Sequence, residues 1–455
     1  MNIIIAILIF SLIIVIHELG HFLLAKKNGI FVTEFSIGMG PRIISLVKTE
    51  KGYRPRLFLN QHEFESTPEW KDTTKYSWKL FPIGGSCIMM GEDEIVEDDR
   101  AFSKKGVWAR ISVVVAGPFF NFILAFILAM FIIGVVGYDP ASITSVAKDS
   151  PAANAGIQVG DVVTNINGDN IDIGRDLLTY LQFNPINGDE VTLTYQRDGK
   201  KNSVTLKPLK VKTYMLGLGY TPDNAAAAIN TSGYEKMPLS KAGLQNGDVI
   251  VKINNTAIKD GNALNQYFHD NPLSDQPVSI TYTRSGKETT VEVTPVFINE
   301  NYSIGISVNS ARVKTDAFGV VKYSAVEVKY WIKTTIQSLV QIIKGKISKD
   351  DIAGPVGIVS YIGDTYQASK SEGILSVFLS LSYISILLSA NLGVMNLLPI
   401  PALDGGRLVF LILELFRGKP VDQNKEGLVH MIGLVALMIL MVFVMFNDIS
   451  RLFNS

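Results

Sequence analysis

The sequence contains one cysteine, Cys87, and five histidines in 455 residues. A single cysteine excludes an intrachain disulfide and a metal centre built from several thiolates, and Cys87 itself is expected to be a small buried hydrophobe. Charged residues make up 18% of the chain and cancel to a net charge of zero, so nothing indicates a nucleic-acid partner. Because 47% of the residues are hydrophobic, the composition is typical of a membrane protein that also carries aqueous domains.

Charges are scarce in four long apolar runs. Residues 3–25 contain no lysine, arginine or aspartate, and the other runs are 111–137, 374–398 and 428–446. At about 1.5 Å per helical residue, each can cross a hydrocarbon core of about 30 Å. The first run lacks the basic start and cleavage site of a signal peptide, so we expect it to be retained. The pattern predicts a polytopic α-helical membrane protein with four transmembrane helices in the lipid bilayer.

The first run contains the motif His17-Glu18-Leu19-Gly20-His21. On a helix, the two histidines lie at i and i+4 on one face as metal ligands, and Glu18 lies beside them as a general base. A chance occurrence is the alternative. Ionisable side chains are costly at membrane depth, which favours a functional zinc site.

Lysine and arginine near the span ends predict the orientation. They are concentrated in the first and third loops, whereas Met1 and Asn2 are uncharged. By the positive-inside rule, these two loops are cytoplasmic, both termini and the long middle segment lie outside, and the zinc site lies towards the cytoplasmic side. The basic residues are Lys26, Lys27, Arg42, Lys104, Lys105 and Arg110 in the first loop, and Arg407, Arg417, Lys419 and Lys425 in the third.

The long middle segment contains an internal repeat. Residues 155–163, AGIQVGDVV, recur as residues 242–250, AGLQNGDVI, at an offset of 87 residues (242 minus 155). The same offset relates residues 191–195 to residues 278–282, each followed by a glycine-containing turn. Such alternation around a turn is typical of β-hairpins, so one β-rich module is duplicated.

The repeated string resembles PDZ domains of bacterial proteases. The resemblance implies two tandem extracytoplasmic β-rich PDZ domains, 138–220 and 221–312. Such modules bind peptides or proteins by adding a strand to a sheet edge. Steric exclusion of large substrates is an equal alternative, because no residue here fixes a ligand preference.

Two further segments receive structural interpretations. Within the connector 313–373, residues 318–346 interleave apolar residues with lysines and predict an amphipathic helix at the membrane interface, with packing against a PDZ module as the alternative. Residues 49–75 form a charged insertion, which we expect to be a cytoplasmic surface loop.

The third zinc ligand is predicted at the end of the third apolar run. A catalytic zinc has three protein ligands and one open position, and Asp404 is the carboxylate placed to complete the set. Pro399 and Pro401 prevent a regular helix there and expose backbone groups to an extended substrate. Asn396 and Asn391 are candidates for binding a substrate carbonyl or oxyanion, with interhelical hydrogen bonding as the alternative.

Together these motifs resemble the site-2 protease family of intramembrane zinc metalloproteases, in its bacterial regulator-of-sigma-E protease branch. Residues 1–137 and 374–455 match the two membrane regions, and residues 116–121, AGPFFN, and 354–357, GPVG, match further family motifs. The family's P-x-G-G-Y-V-K-M precedes a re-entrant hairpin that pairs with substrate. Here residues 82–89 read PIGGSCIM, so Gly84 and Gly85 are retained while Tyr and Lys are replaced by Ser86 and Ile88.

The resemblance implies a multi-pass protein of the bacterial inner membrane with one Zn²⁺ per chain. It implies cleavage within the transmembrane segments of single-span membrane proteins, namely anti-sigma factors and signal-peptide remnants. The alternative is a catalytically inactive scaffold that recruits partners through its PDZ pair. Glu18, both histidines and Asp404 are intact, which argues against that alternative.

Overall fold

A computed structural model describes residues 2–50, 52–70, 72–92, 94, 96–221, 224–308, 311–347 and 353–454. The chain forms two compact units. The first, here the helical unit, joins residues 1–138 to residues 313–455, and the second, here the β unit, is formed by residues 139–312. Five residues of the predicted connector, 348–352, lie outside the described part.

Helices dominate the helical unit, and four of them are long and apolar enough to cross a membrane: Ile3–Lys27, Val107–Val136, Ile374–Leu397 and Asn424–Arg451. They coincide with the four apolar runs of the sequence. The helices in chain order are α1 (Asn2–Lys27), α2 (Gln61–Ser66), α3 (Val107–Val136), α4 (Pro151–Asn154), α5 (Gly174–Phe183), α6 (Pro238–Lys241), α7 (Gly261–Asp270), α8 (Ala317–Ile343), α9 (Pro355–Lys370), α10 (Ile374–Leu397), α11 (Asp404–Arg417) and α12 (Gln423–Asn454).

The strands occur between α1 and α3 and throughout the β unit. They are β1 (Val32–Thr49), β2 (Gly52–Leu57), β3 (Lys75–Met89), β4 (Ile143–Val146), β5 (Val162–Ile166), β6 (Asp169–Asn170), β7 (Val191–Arg197), β8 (Lys200–Leu206), β9 (Leu209–Met215), β10 (Gly219–Tyr220), β11 (Ile229–Asn230), β12 (Val249–Ile253), β13 (Thr256–Ala257), β14 (Val278–Arg284), β15 (Lys287–Val293), β16 (Val296–Ser303) and β17 (Ile306–Val308).

The insertion 49–75 is more ordered than a surface loop. Its strand β2 extends the β1–β3 sheet. Its Leu59, Phe64 and Trp70 form a small buried core with Val47. The insertion is ordered because these apolar side chains pack on a face of the sheet. In β1, Glu34 is fully buried. Burial raises the pKa of this carboxyl, but hydrogen bonds from Arg42 and Ser77 and the charge of Lys79 outweigh that effect, so the pKa is lowered overall.

The amphipathic helix of the connector packs partly against two of the apolar helices, and its position at the membrane interface stays a prediction. Helix α8 places Val328 and Trp331 against a buried cluster formed by α3 and α10. Its Thr335 hydroxyl also hydrogen-bonds the side chain of Asn391 in α10. Protein therefore covers part of the apolar stripe of α8, while Val321, Ile336 and Ile343 of the same helix stay exposed.

The β unit contains the two copies of the repeat. One copy forms the sheet β6-β5-β7-β8 and the other the sheet β13-β12-β14-β15. The copies share a bidentate ion pair at the same offset: Arg197 binds Asp161, and Arg284 binds Asp248. Each sheet covers its own hydrophobic core.

The copies are nested, whereas the sequence predicted a tandem order with a boundary at 220/221. Residues after β15 return through the two-stranded ribbon β9–β16, and β17 then pairs with β4. Ile304 and Ile306 pack in the core of the first copy. The second copy is thus inserted before the last strand of the first, because β17 pairs with β4 and completes the first core only after the chain has left the second copy.

Candidate active site

The histidine pair lies on the second half of α1. His17 and His21 are separated by one helical turn, and their Nε2 atoms are 3.2 Å apart. Both residues are buried, with 7% and 8% of their surface exposed. Two imidazoles held this close in an apolar helix bundle require a shared partner, since neither is solvated.

That partner is Asp404, the first residue of α11. Its Oδ2 atom lies 3.1 Å from His17 Nε2 and 3.5 Å from His21 Nε2. The structure therefore brings together the three side chains that the sequence nominated as ligands, from two distant parts of the chain.

The spacing of these three atoms fits a zinc ion. Two ligand atoms each 2.0–2.1 Å from a tetrahedral zinc are about 3.3 Å apart, and the observed separations are 3.1, 3.2 and 3.5 Å. Asp404 Oδ2 is buried and makes no regular hydrogen bond within the described residues. Three ligand atoms at these separations can be shared by one metal ion.

The outer nitrogens of both rings also have partners. His21 Nδ1 lies 2.8 Å from the carbonyl oxygen of Val113, to which it donates, leaving Nε2 free for a metal. His17 Nδ1 lies 3.1 Å from the side-chain amide of Asn121, which is fully buried. The Asn121 side-chain oxygen has no hydrogen-bond partner in the described part of the chain. If the amide is rotated by half a turn, this oxygen accepts a hydrogen bond from the His17 Nδ1–H.

Two glycines let α1 and α3 approach closely at this point. A Cβ on Gly117 would lie 2.3 Å from His21 Nε2 and 2.8 Å from His17 Cε1. A Cβ on Gly20 would lie 2.4 Å from the carbonyl oxygen of Ala116. The helices therefore need glycine at both positions for the histidine pair to fit beneath α3.

Glu18 lies beside the pair and against strand β3. Its charge interacts with both histidines and Asp404, and the Cys87 backbone amide is its hydrogen-bond partner. A Cβ on Gly85 would be 3.5 Å from Glu18 Cγ and 2.9 Å from the Ser36 carbonyl, and Gly84 has a φ of +79°. These glycines let the last part of β3 pass between α1 and β1.

Comparison with known proteins agrees with this geometry. The sequence profile of peptidase family M50 matches residues 5–60 and 64–440. The chain belongs to peptidase family M50. It is 29% identical to the zinc metalloprotease RasP of Geobacillus kaustophilus over 98% of this chain and 97% of that protein. It is 29% identical to the regulator of sigma-W protease RasP of Bacillus subtilis over 98% of both, and 31% identical to the regulator of sigma E protease of Haemophilus influenzae over 97% of this chain.

As an M50 peptidase, the protein is a zinc metalloprotease of the site-2 protease type. Its cofactor is Zn²⁺, in agreement with the donor set of two imidazoles and one carboxylate. The four apolar helices and the family membership together make it an intramembrane protease of the bacterial inner membrane.

The remaining nominated residues of this M50 chain have different surroundings. Asn391 hydrogen-bonds Thr335 of α8, which is the interhelical arrangement weighed in the sequence analysis. Asn396 is half-buried in the last turn of α10. Pro399 and Pro401 lie in the irregular segment between α10 and α11, which leads directly into Asp404.

Sequence reasoning nominated the ligands but did not assign roles to Gly117 and Asn121. Both lie in the 116–121 motif, which served only as support for a resemblance. The signal that identifies them is their spacing of four residues on one face of α3, which places a small residue and a polar residue one turn apart at membrane depth.

Proposed function

We propose that this M50 peptidase cleaves within the transmembrane segments of single-span membrane proteins. Anti-sigma factors and signal-peptide remnants are the substrates that the resemblance suggests, and the names of the regulator-of-sigma relatives support the first class. The observation that carries the proposal is the convergence of His17, His21 and Asp404 beside Glu18 within apolar helices. Metal ligands and a base in these surroundings suit a peptide bond presented from the lipid.

The residues of the chain have separate tasks in this proposal. His17, His21 and Asp404 hold the zinc, which supplies Lewis acidity to the scissile carbonyl and to water. Glu18 accepts a proton from the attacking water and then donates it to the leaving amine. The bond between the carbonyl carbon and the amide nitrogen breaks, so one water is consumed for each peptide bond.

We propose that an extended substrate binds along the last part of β3. Among the described residues, residues 85–89 pair with β1 on one side only, and Glu18 lies next to them. A helix must unwind before its carbonyls reach a catalytic site, and an extended substrate can pair with a free strand edge. Gly84 and Gly85 shape that edge, and the irregular segment with Pro399 and Pro401 and the preceding Asn396 are proposed as further substrate contacts.

We further propose that both copies in the β unit are PDZ-type domains outside the cell membrane, with both termini on the same side and the zinc site towards the cytoplasm. The four-stranded sheets and repeated Asp–Arg pairs support the module assignment. The orientation rests on the distribution of lysine and arginine.

The catalytic proposal is tested with the full-length protein in nanodiscs and a purified single-span reporter substrate. Glu18→Gln keeps both imidazoles but cannot accept a proton, so we expect zinc to be retained and cleavage to fall by several orders of magnitude. Asp404→Ala should lose both zinc and activity, whereas Asp404→Glu keeps a carboxylate and some metal. A chelator should abolish cleavage by the wild type. Near wild-type cleavage by Glu18→Gln would contradict the mechanism, and absence of cleavage by the wild type with zinc bound would favour the scaffold.

The orientation can be tested because the chain has a single native cysteine. In a Cys87→Ser background, one exposed position in each region receives a cysteine: Ser285→Cys in the β unit and His62→Cys in the first loop. In intact cells, a membrane-impermeant maleimide should label the first variant only. Labelling of His62→Cys alone would reverse the proposed topology.

The role of the β unit can be tested by deletion. Tyr138 and Val313 exchange two backbone hydrogen bonds, with N–O distances of 3.0 and 2.8 Å, so the ends left by removing 139–312 are already adjacent. If the β unit excludes bulky substrates, the deletion should increase cleavage of an untrimmed substrate only. If it recruits substrate, cleavage of a trimmed substrate should slow, mainly through KM. Unchanged rates for both would contradict both roles.

A further inference from the structure

The turn that delivers Asp404 has an unusual backbone. The Leu403 amide donates to the Ile400 carbonyl at 3.2 Å, and Ala402 has a φ of +74°. A proline at the second position and a positive φ at the third are the features of a type II turn, whose third position normally holds glycine. Alanine there is strained because its Cβ crowds the backbone.

The last helix supports this strained turn. The Ala402 amide donates to His430 Nδ1 of α12 at 2.8 Å. In a type II turn this amide faces away from the turn itself, so it depends on an outside acceptor. His430 also packs against Phe410, with ring centroids 5.6 Å apart, and its Nε2 lies 3.8 Å from Glu426.

One turn further along α12, Gly433 makes room for the same segment. A Cβ on Gly433 would lie 2.3 Å from Pro401 Cβ and 2.7 Å from the Pro401 carbonyl oxygen. Among the described side chains of α12, only Gly433 and Asp448 are buried. The contact with the turn is therefore at one of the two buried positions among the described residues of α12.

We propose that His430 and Gly433 form a cradle for the Ile400–Leu403 turn and so position Asp404 against the histidine pair. His430 is a positioning residue that acts through the Ala402 amide, two residues before the carboxylate. The inference deepens the proposed function and rests on Asp404 being a zinc ligand. It gives the fourth membrane helix a role in metal binding without a ligand of its own.

The test uses the full-length protein, zinc alone as the probe, and three variants at the turn. His430→Phe keeps a ring beside Phe410 but removes the acceptor, so we expect zinc affinity to fall by about 10- to 100-fold. We expect kcat to fall with KM unchanged. His430→Asn keeps an acceptor near the position of Nδ1 and should retain most of the affinity. Ala402→Gly, added to His430→Phe, should recover part of the loss because glycine adopts a positive φ without the Cβ clash.

The matched control is Met431→Ala, the neighbouring residue on the exposed side of α12, with 56% of its surface accessible. Its zinc affinity, its kcat and the melting temperature of its zinc-free form should equal those of the wild type. Wild-type zinc affinity in His430→Phe would overturn the inference, as would equal losses in His430→Asn or no recovery by Ala402→Gly. If Asp404→Ala keeps full zinc affinity, the proposed ligand set fails instead, so the two failures are distinguishable.

Discussion

Replacing Gly117 by alanine should disable the histidine pair without weakening α3. A Cβ at this position lies 2.3 Å from His21 Nε2, whereas ordinary contacts begin at 3.4 Å. The His21 ring must therefore move by about 1.1 Å (3.4 minus 2.3) or rotate away, because backbone atoms of two packed helices cannot separate that far cheaply. Either movement takes Nε2 away from Asp404.

The size of the effect follows from that displacement. A misplacement of about 1 Å at a catalytic centre costs about 100-fold in rate. At about 1.36 kcal/mol per tenfold, this is about 2.7 kcal/mol of lost transition-state stabilisation. Alanine is at the same time a better helix former than glycine by about 1 kcal/mol. Activity and zinc affinity should fall while thermal stability of the zinc-free protein stays level or rises.

The measurement compares Gly117→Ala with Gly134→Ala, a control on the same helix where a Cβ meets nothing within 4 Å. Zinc affinity is read by competition with a chelator, kcat/KM with the reporter substrate, and stability by thermal unfolding in detergent. Wild-type values in Gly134→Ala and a large loss in Gly117→Ala are expected. If the two variants bind zinc and cleave equally well, a Cβ at position 117 does not displace the histidine pair.

Three further outcomes are expected. Asn121→Leu removes the partner of His17 Nδ1 and should lower zinc affinity by about 10- to 100-fold in the same chelator assay. Asp448 of α12 accepts from the Gly354 and Gly357 amides at the start of α9; Asp448→Ala should therefore cost about 0.5–2 kcal/mol in thermal unfolding, and a normal melting temperature would contradict this cap. In the β unit, the hydrogen bonds from Arg284 hold the pKa of Asp248 below its ordinary 3.8, so their stabilisation is complete above that pH and is lost as the pH falls towards the lowered value. Arg284→Met should thus speed amide exchange in the second copy at pH 7, and its difference from the wild type should shrink near pH 3.

The sequence predicted those parts of the site that depend on local spacing. His17 and His21 face one way because a helix repeats every 3.6 residues, and the break before Asp404 follows from two prolines. The roles of Gly117 and His430 depend on which helices touch, and local periodicity carries no information on that. His430 in particular lies in an apolar run with no motif around it.

The same limit explains the order of the repeats. An offset of 87 residues relates most of the two copies correctly. Sequence similarity between the copies does not show to which copy a strand at the boundary belongs. The strings Leu216-Gly217-Leu218 and Ile304-Gly305-Ile306 are equivalent at an offset of 88 residues (304 minus 216), because Leu216 and Ile304 accept the matching bonds from Leu239 and Ala152. Each string enters a different copy from the one that precedes it in the chain. The pairing of β17 with β4 and the packing of Ile304 in the first core reveal the exchange.

The nested order has a consequence for synthesis. The buried core of the second copy is contiguous, from Leu216 to Val293, whereas the first copy needs Ile304 to complete its core. The ribosome adds about 5–20 residues per second, so the last strand of the first copy is synthesised several seconds after the rest of that copy. The second copy can therefore fold before the first, although it is translated later. A chain arrested after residue 300 should contain a protease-resistant second copy and an open first one.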